Sequence, residues 1–342
     1  MTELPRNVLR TADLDAPKPW PLPPPFAATR TPLVPGEKAL LGAGIVEVPP
    51  GTRSCPLHSH RFEEEHFLVL AGELVVRELH PGANDYVEYA LHPGELVAYP
   101  SNTGIAHGFF NRGDVPARFL AVSEDRWGEI CQYPDSGKTM LRPLQKVGIF
   151  GATAADVVLA EAAERASGRR VTTLADDDRP SWVASPSLLV ERDLGGDGFG
   201  LPLAREAGAV AVFLNRDRLP PGGRTGPLHA HTGDEELVYV LEGTPLLQQL
   251  RGTVDKRVPR FEDATLEEVR LQPGDVVRWR PADGVAHHIL NPPDAPEAVL
   301  LVVGTDVPDD VCIFPDTGRV HVRALGRTAS FAPRSYFDGE AD

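Results

Sequence analysis

An internal repeat constrains the fold of this chain more than any other feature. The segment Pro-Leu-His-Ser-His at residues 56–60 returns as Pro-Leu-His-Ala-His at residues 227–231, an offset of 171 (227 minus 56). Glu65 returns as Glu236 at the same offset. Chance is a poor explanation for such a pattern, so we expect the chain to contain two copies of one domain.

Two further blocks extend the repeat. His107 matches His287 at an offset of 180, and residues 131–138 recur as residues 312–319 at an offset of 181. The second copy therefore holds nine extra residues before His287 (180 minus 171). They fall near the polar stretch at residues 251–257, which lacks a strand pattern and predicts a longer hairpin loop. The Asp-Ser-Gly-Lys and Asp-Thr-Gly-Arg segments of the two tail blocks are each expected to form a turn that folds the tail back over its domain.

Length and composition agree with two β-rich domains. The 342 residues exceed what one ordinary core holds and suffice for two domains of about 150 residues each. Gly 32 and Pro 34 make the chain rich in turns, and its apolar runs are short and separated by Pro-Gly and Asn or Asp turns. This pattern is typical of β-barrels and β-sandwiches.

Charge and cysteine content exclude several classes of partner. Lys+Arg 34 against Asp+Glu 49 gives a net charge of -15, which would repel a phosphate backbone or an anionic lipid surface. Nucleic acid and membranes are therefore not expected partners. Three cysteines are too few for a disulfide framework and fit a reducing compartment. No apolar run reaches the roughly 18 residues of a transmembrane helix, so a soluble, cytoplasmic protein is predicted.

The repeat divides the chain into five parts. The Pro-rich N-terminal arm is either disordered or packed across a barrel, since its prolines exclude a helix. Residues 153–167 are Ala-rich and predict the one connecting helix. The predicted boundaries are 1–36 for the arm, 37–147 for the N-terminal barrel, 148–205 for the helical linker and connector, 206–327 for the C-terminal barrel and 328–342 for the tail.

Two histidine pairs have a spacing that suits a metal site. His58 and His60 lie two residues apart, so on a strand both imidazoles project from the same face. The repeat places an identical pair in the second copy. Glu65 and His107 follow at intervals that need a fold to converge, and spacing alone does not bring four ligands together.

These motifs resemble those of the cupin superfamily, whose first motif runs from a glycine through His-x-His and a glutamate to a second glycine. Residues 51–72 and 222–243 fit it, with one residue more than usual before the histidines. The second motif ends in Gly-x-x-His and an asparagine, and residues 94–111 and 274–291 fit it with small additions in a loop. The resemblance implies an all-β fold of two tandem cupin barrels, each a double-stranded β-helix or jelly roll, with one connecting helix.

The same resemblance implies a divalent metal ion in each barrel. The ligands that it implies are His58, His60, Glu65 and His107 in the first copy and His229, His231, Glu236 and His287 in the second. The remaining histidines are expected at the surface or in packing roles: His66, His80, His92, His288 and His321.

The side chains beside these ligands have simpler expected roles. Glu63, Glu64 and Glu235 do not align as ligands and are expected to be solvated. Cys131 and Cys312 occupy equivalent positions and are expected to be small, buried, apolar side chains.

The donor set leaves several chemistries open. Three imidazoles and one carboxylate suit Fe(II), Mn(II), Ni(II), Co(II) and Zn(II), and affinity alone does not choose among them. Similarity to cupin dioxygenases favours Fe(II) and a metal-dependent oxygenase acting on a small oxygenated or aromatic molecule, with Glu65 or Glu236 as a catalytic base by analogy. The alternatives are a non-oxidative cupin metalloenzyme, such as a decarboxylase, isomerase or cyclase, and a metal-containing binding or regulatory bicupin.

Candidate substrate-binding residues lie near the second motif. Tyr99 of the first copy aligns with Trp279 of the second, so the two pockets are expected to differ. Arg278 and Arg280 alternate on one face of a predicted strand, where two guanidinium groups are candidates to hold a substrate carboxylate. The alternative is that both point outward. A small-molecule substrate and, by similarity to other bicupins, a homodimer are the expected partners.

Overall fold

The computed structural model describes residues 4–14, 17–19, 22, 24–34, 39–148, 168–255 and 258–331. The predicted helix at residues 153–167 lies outside these ranges. Within them the chain forms 29 strands, five single-turn 3-10 helices and one short α-helix. The predicted all-β class is thus confirmed.

The strands are short, as the frequent turns predicted. Those of the first half and the connector are β1 (Val8–Arg10), β2 (Lys18–Pro19), β3 (Thr29–Pro32), β4 (Leu41–Val48), β5 (Ser59–His60), β6 (Glu65–Ala71), β7 (Leu74–Leu79), β8 (Tyr86–Leu91), β9 (Leu96–Tyr99), β10 (Ala106–Phe110), β11 (Ala117–Glu124), β12 (Ile130–Tyr133), β13 (Lys138–Leu141), β14 (Lys146–Gly148), β15 (Val171–Thr173) and β16 (Val183–Ala184).

The second half follows the same order of elements. Its strands are β17 (Arg192–Asp193), β18 (Phe199–Leu201), β19 (Val212–Leu219), β20 (Ala230–His231), β21 (Glu236–Glu242), β22 (Leu246–Asp255), β23 (Val258–Arg270), β24 (Asp275–Trp279), β25 (Val285–Leu290), β26 (Ala298–Thr305), β27 (Val311–Phe314), β28 (Arg319–Val322) and β29 (Arg327–Ser330). The helices are α1 (Leu203–Glu206) and the 3-10 turns Thr11–Asp13, Arg142–Leu144, Asp176–Asp178, Pro186–Leu188 and Arg323–Leu325.

Each copy of the repeat folds into a barrel of two sheets that share one apolar interior. In the N-terminal barrel a seven-stranded sheet in the order β16-β9-β6-β11-β4-β3-β2 packs on the sheet β10-β7-β8-β15. In the C-terminal barrel the sheet β1-β24-β21-β26-β19-β18-β17 packs on β23-β22-β25. Each barrel also carries a small third sheet, β14-β13-β12-β5 or β20-β27-β28-β29. The two tandem barrels that the repeat predicted are therefore present.

The third sheets confirm the predicted turns of the tail blocks. Gly137 and Gly318 adopt positive φ values of 69° and 63°, a conformation that glycine tolerates without strain. Each donates its backbone N–H to the carbonyl of the residue four positions earlier, Tyr133 or Phe314. The resulting hairpins pair with β5 and β20, so the tails hold the strands that carry the His-x-His motifs.

The arm and the connector are parts of the barrels. Val8 of β1 pairs with Val277 of β24, and Val183 of β16 pairs with Val97 of β9. Since 277 minus 97 is again 180, the two added strands occupy equivalent edges. Of the two alternatives for the arm, its described part around β1 packs across a barrel. The sheets therefore extend beyond the predicted boundaries at residues 37 and 206.

The prediction of a longer hairpin loop in the C-terminal barrel is wrong, because the described part of that segment forms strands. Residues 251–255 belong to β22, which pairs with β23 as far as Asp255 opposite Val258. The extra residues thus lengthen two strands. The reason is that a long hairpin satisfies its own backbone hydrogen bonds, so polar side chains are tolerated on both exposed faces.

Strand alternation divides most of the buried apolar side chains among three large cores. In β4, Ala43 and Ile45 face the other barrel whereas Val46 and Val48 face the barrel interior, because successive side chains of a strand point to opposite faces. The outer faces of the two seven-stranded sheets pack together, with Leu203 of α1 between them. We call this contact the barrel seam. Each buried leucine in it contributes about 1.5–3 kcal/mol, so the two barrels stabilise one another. No described helix is long and apolar enough to cross a membrane.

Candidate metal centres

In the N-terminal barrel the four implied ligands converge. The Oε2 atom of Glu65 lies 3.0 Å from Nε2 of His60 and 3.2 Å from Nε2 of His107. His58 joins them, since its ring centroid lies 5.0 Å from that of His60 and 5.2 Å from that of His107. Glu65 begins β6, His107 lies in β10, and His58 pairs with His107 through an isolated bridge.

The C-terminal barrel repeats this geometry more openly. The Oε2 atom of Glu236 lies 3.4 Å from Nε2 of His231, 3.6 Å from Nε2 of His287 and 4.0 Å from Nε2 of His229. The Nε2 atom of His287 is buried and has no hydrogen-bond partner in the described structure. An orphaned imidazole nitrogen that faces two others and a carboxylate is the arrangement that a divalent ion would satisfy.

Oxygen atoms behind the rings orient them for metal binding. Nδ1 of His58 lies 2.8 Å from the Pro56 carbonyl, and Nδ1 of His229 lies 2.8 Å from the Pro227 carbonyl. A carbonyl can only accept, so each Nδ1 carries the proton and each Nε2 offers its lone pair. Burial lowers the pKa of His58 to about 3 and that of His229 to about 4, so both rings are neutral near pH 7.

A carboxylate stands behind the second histidine of each motif. Nδ1 of His60 lies 3.3 Å from Oε1 of Glu129, and Nδ1 of His231 lies 2.8 Å from Oδ2 of Asp310. Burial opposes a charge on His231, but Asp310 and Glu236 together raise its pKa to about 10. Such carboxylates fix the ring and strengthen a metal ligand. Sequence reasoning missed them, although the tail offset of 181 (310 minus 129) marks the pair.

The prediction that Glu63 is solvated is wrong. Its side chain is 1% exposed and accepts a hydrogen bond from Nη2 of Arg142 at 2.7 Å. In the second barrel Arg323 forms the matching ion pair with Asp234, again at the offset of 181 (323 minus 142). The guanidinium groups fold each tail onto its motif, so burial is possible because the charge is paired.

Glu64 and Glu235 are also buried, which corrects the prediction for both. Glu64 accepts a hydrogen bond from His66 at 3.0 Å, and His66 is fully buried. Glu235 binds the guanidinium of Arg278 and accepts the backbone N–H of Leu40. Both carboxylates lie in the barrel seam, where each also accepts a backbone N–H from the other barrel, Glu64 that of Val212 and Glu235 that of Leu40.

Among the other predicted packing residues, Cys131 and Cys312 are buried as expected. Cys131 does more than fill space, because its Sγ lies 3.5 Å from Nδ1 of His60. His80 and His92 lie 33% and 39% exposed beside acidic side chains.

Aromatic rings support the last ligand of each set. Tyr99 stacks on His107 with centroids 3.8 Å apart, and Trp279 stacks on His287 at 3.6 Å. Tyr99 is 3% exposed, and its hydroxyl donates to Oε1 of Glu78 at 2.7 Å. The ring that was predicted to bind substrate therefore backs a ligand histidine.

Arg278 and Arg280 do not face the metal cluster, which corrects their predicted role there. Trp279 points into the barrel, so Arg278, the strand residue before it, points to the opposite face. Arg278 lies at the seam against Glu235, and Arg280 is exposed.

A different arginine enters the N-terminal barrel. Arg30 of β3 pairs with Val46 of β4, and cross-strand partners share a face, so its side chain lies on the interior face. Its Nε atom is buried without a hydrogen-bond partner in the described structure. Burial lowers the pKa of Arg30, and attraction to Glu65 partly offsets this. Nothing in the sequence marked Arg30, because the strand that carries it lies within the predicted arm and outside the ligand motifs.

The C-terminal barrel has the opposite interior charge. Asp217 occupies the position of Val46 (217 minus 171), and its partner on the neighbouring strand is Gly200, in the place of Arg30. The Oδ1 atom of Asp217 is buried without a hydrogen-bond partner among the described residues. Burial and the charge of Glu236 raise the pKa of Asp217 to about 7.

Comparison with known proteins identifies the family. The cupin domain matches this chain twice, at residues 44–123 and 215–304. The chain therefore belongs to the cupin family, and with one cupin domain in each barrel it is a bicupin.

Solved structures share this architecture at low sequence identity. An oxalate decarboxylase–formate complex from Lactobacillus farciminis has a TM-score of 0.56 and 16% identity, over 91% of this chain and 89% of that chain. Oxalate decarboxylase from Bacillus subtilis at pH 4.6 gives 0.55 and 16%, over 89% and 77%. The 7S globulin of Momordica charantia gives 0.56 and 13%, over 90% and 86%. These identities establish the fold alone, and no curated protein sequence matches significantly.

Proposed function

We propose that this bicupin is a divalent-metal enzyme that acts without oxidation on a small carboxylate, and that the N-terminal barrel is the catalytic one. One observation carries the proposal. The metal-type cluster of that barrel shares its interior with Arg30, whose Nε has no partner in the described structure.

The donor set suits a catalytic ion. Three imidazoles and one carboxylate leave two positions of an octahedral ion for a substrate and water. A bound divalent ion would polarise a substrate oxygen and stabilise charge that develops on it. These ligands do not discriminate among Mn(II), Fe(II), Co(II), Ni(II) and Zn(II). Only the family resemblance favours Fe(II) over the other ions.

Arg30 favours an anionic substrate. A buried guanidinium is costly unless it is paired, and a carboxylate can accept two parallel hydrogen bonds from it. Glu65 attracts Arg30 within the same interior, so a carboxylate held by Arg30 lies near the metal ligands. The stack of Tyr99 on His107 holds the last ligand still while the substrate binds.

The C-terminal barrel is less suited to this substrate. Asp217 adds a carboxyl group to an interior that already contains Glu236, and an anion there would be repelled once Asp217 ionises. We therefore assign the second centre a structural or regulatory role.

The solved relatives support the non-oxidative class more than the oxygenase class. Two of them are oxalate decarboxylases with the same two-barrel arrangement. Because a 7S globulin shares the fold as well, the fold does not select the reaction. The complete ligand sets and the interior position of Arg30 therefore support the proposed function more than the fold does.

A turnover assay with metal-loaded protein tests the proposal. Small mono- and dicarboxylates, oxalate included, are screened while carbon dioxide release, product isomers and oxygen uptake are measured. We expect turnover without oxygen uptake, lost in His58→Ala and retained in His229→Ala. Arg30→Gln should raise KM at least tenfold, whereas Arg327→Gln, at an exposed tail position, should leave it unchanged.

Other outcomes reject parts of the proposal. Stoichiometric oxygen uptake during turnover would favour the oxygenase alternative. Activity that survives His58→Ala but not His229→Ala would move catalysis to the second barrel. Protein that retains no metal after anaerobic, chelator-free purification would exclude both enzyme classes.

A further inference from the structure

A cavity outside both metal centres lies where the N-terminal strand meets the C-terminal barrel. Its volume is about 400 Å³, and its walls come from the β1 segment, from β24 and from the turn after β24. Leu33 of the N-terminal barrel also lines it. We call it the seam pocket.

The lining charges are strongly one-sided. Among the described residues, four arginines and a single acidic residue line the seam pocket: Arg6, Arg251, Arg278, Arg280 and Asp283. The chain as a whole carries a net charge of -15, so this concentration of guanidinium groups runs against its composition. A local positive potential of this kind attracts anions.

The one acid is already engaged. The two carboxylate oxygens of Asp283 accept the backbone N–H groups of Arg280 at 3.0 Å and Val285 at 2.9 Å. Asp283 therefore shapes the turn, and its single negative charge is outnumbered by the positive charges of the four lining arginines.

Three of these arginines, Arg6, Arg278 and Arg280, have guanidinium donors without a partner among the described residues. The Nη2 atom of Arg278 is buried without a hydrogen bond in the described structure, while its Nε binds Glu235. The side chain of Arg278 is only 10% exposed, so this donor cannot be satisfied by bulk water. Arg6 and Arg280 form no ion pair within the described part of the chain, whereas Arg251 is paired with Glu267 at 3.2 Å.

We infer that the seam pocket binds a small organic dianion, a dicarboxylate or a phosphate monoester, between Arg6, Arg278 and Arg280. Planar guanidinium groups match the paired oxygens of both classes. Val8, Leu33 and Val276 supply an apolar wall for a short hydrocarbon portion. The cavity is of the size that takes small molecules.

This site is separate from the metal chemistry. Arg278 lies on the face of β24 opposite Trp279, and Trp279 is the residue that stacks on His287. A dianion in the seam pocket would join Arg6 of the arm to the turn at Arg280. Through Arg278 and Glu235 it would also reach the backbone of Leu40 in the other barrel. Binding there would hold the arm on its barrel and tighten the seam.

Titration calorimetry on the full-length, metal-loaded protein tests this inference. Succinate and inorganic phosphate are the probes, each at constant ionic strength, and comparison of their affinities distinguishes the dicarboxylate from the phosphate source. We expect one probe ion per chain, with affinity reduced at least tenfold by Arg280→Gln and by Arg6→Gln. Arg327→Gln removes one positive charge at an exposed tail position and should leave affinity unchanged.

Two histidine variants separate this site from the metal ions. Binding should persist in His58→Ala and in His229→Ala, because neither residue lines the seam pocket. Equal affinity in the wild type and Arg280→Gln would overturn the inference, as would equal losses in Arg280→Gln and Arg327→Gln. Absence of binding heat and of a melting-temperature shift with both probes would overturn it as well. These outcomes do not depend on turnover, so they are independent of the proposed function.

Discussion

The Oε1 atom of Glu64 accepts the backbone N–H of Val212 at 3.0 Å, across the seam between the barrels. The same carboxylate accepts the N–H groups of Val210 at 2.8 Å and Ala211 at 3.1 Å. Glu235 accepts the N–H of Leu40 in return. Each barrel thus supplies an acceptor to the start of a strand in the other barrel, Glu64 at β19 and Glu235 at β4. The two glutamates are equivalent in the repeat, so the duplicated residue makes the same contact in both directions.

Glu64→Ala should lower the free energy of unfolding by about 3–5 kcal/mol, since it leaves buried N–H groups without an acceptor and His66 without a partner. Urea unfolding monitored by fluorescence measures the change. Glu73→Ala, at a side chain 57% exposed, should change the stability by less than about 0.5 kcal/mol. Similar losses in both variants would show that Glu64 does not hold the seam.

Metal binding should release protons, because the ligand His231 is charged in the metal-free protein. Its pKa of about 10 means that the ring is protonated at pH 7, whereas an ion needs the neutral imidazole. We expect about one proton per C-terminal site and an affinity that rises with pH up to about 10. Titration of Mn(II) in two buffers with different ionisation enthalpies measures the release.

Asp310→Asn is the matched variant for this linkage. It removes the carboxylate that lies 2.8 Å from Nδ1 of His231, so fewer protons should be released and metal affinity should fall about 10- to 100-fold. Unchanged proton release would contradict the role of Asp310.

Asp217 should make the C-terminal barrel less stable as the pH rises. Its pKa is about 7 in the folded protein and 3.8 as the ordinary value, so the folded state holds the proton more tightly. The stabilisation is complete below pH 4 and is lost as the pH rises towards 7. Asp217→Asn should therefore gain stability over the wild type from pH 5 to pH 8, by up to about 4 kcal/mol. Chemical unfolding of metal-free protein across this range measures it, and parallel pH profiles would refute it.

Arg30→Met should stabilise the protein while weakening catalysis. It removes a guanidinium whose buried Nε has no hydrogen-bond partner in the described structure and keeps a side chain of similar length, for a gain of about 1 kcal/mol. Thermal unfolding and the carboxylate assay are measured on the same samples. A loss of stability would mean that Arg30 serves the fold and not the substrate.

Much of the architecture follows from local patterns. The offsets of 171, 180 and 181 predict two copies, and the His-x-His spacing predicts two imidazoles on one face, because side-chain direction in a strand depends only on the backbone. The offset of 181 also relates Glu129 to Asp310 and Arg142 to Arg323, so these pairs are visible in the sequence as part of the repeat.

Other features depend on contacts between distant segments. Glu64 looks like a surface acid in a run of glutamates, yet the backbone N–H groups that donate to it lie 146–148 residues away. Arg278 and Arg280 have a spacing that fits a substrate clamp, but the direction in which β24 faces decides that they line the seam pocket.

The amino-acid sequence by itself determined the duplication, the all-β class and the two His-x-His pairs, since these depend on residue type and short-range spacing. The remaining ligands of each cluster were implied by the resemblance to the cupin motifs. Only the tertiary structure decided which acids are buried, that Arg30 enters one barrel and Asp217 the other, and where the arginines of β24 point. Those properties arise when sheets from separate parts of the chain pack together and remove particular side chains from water.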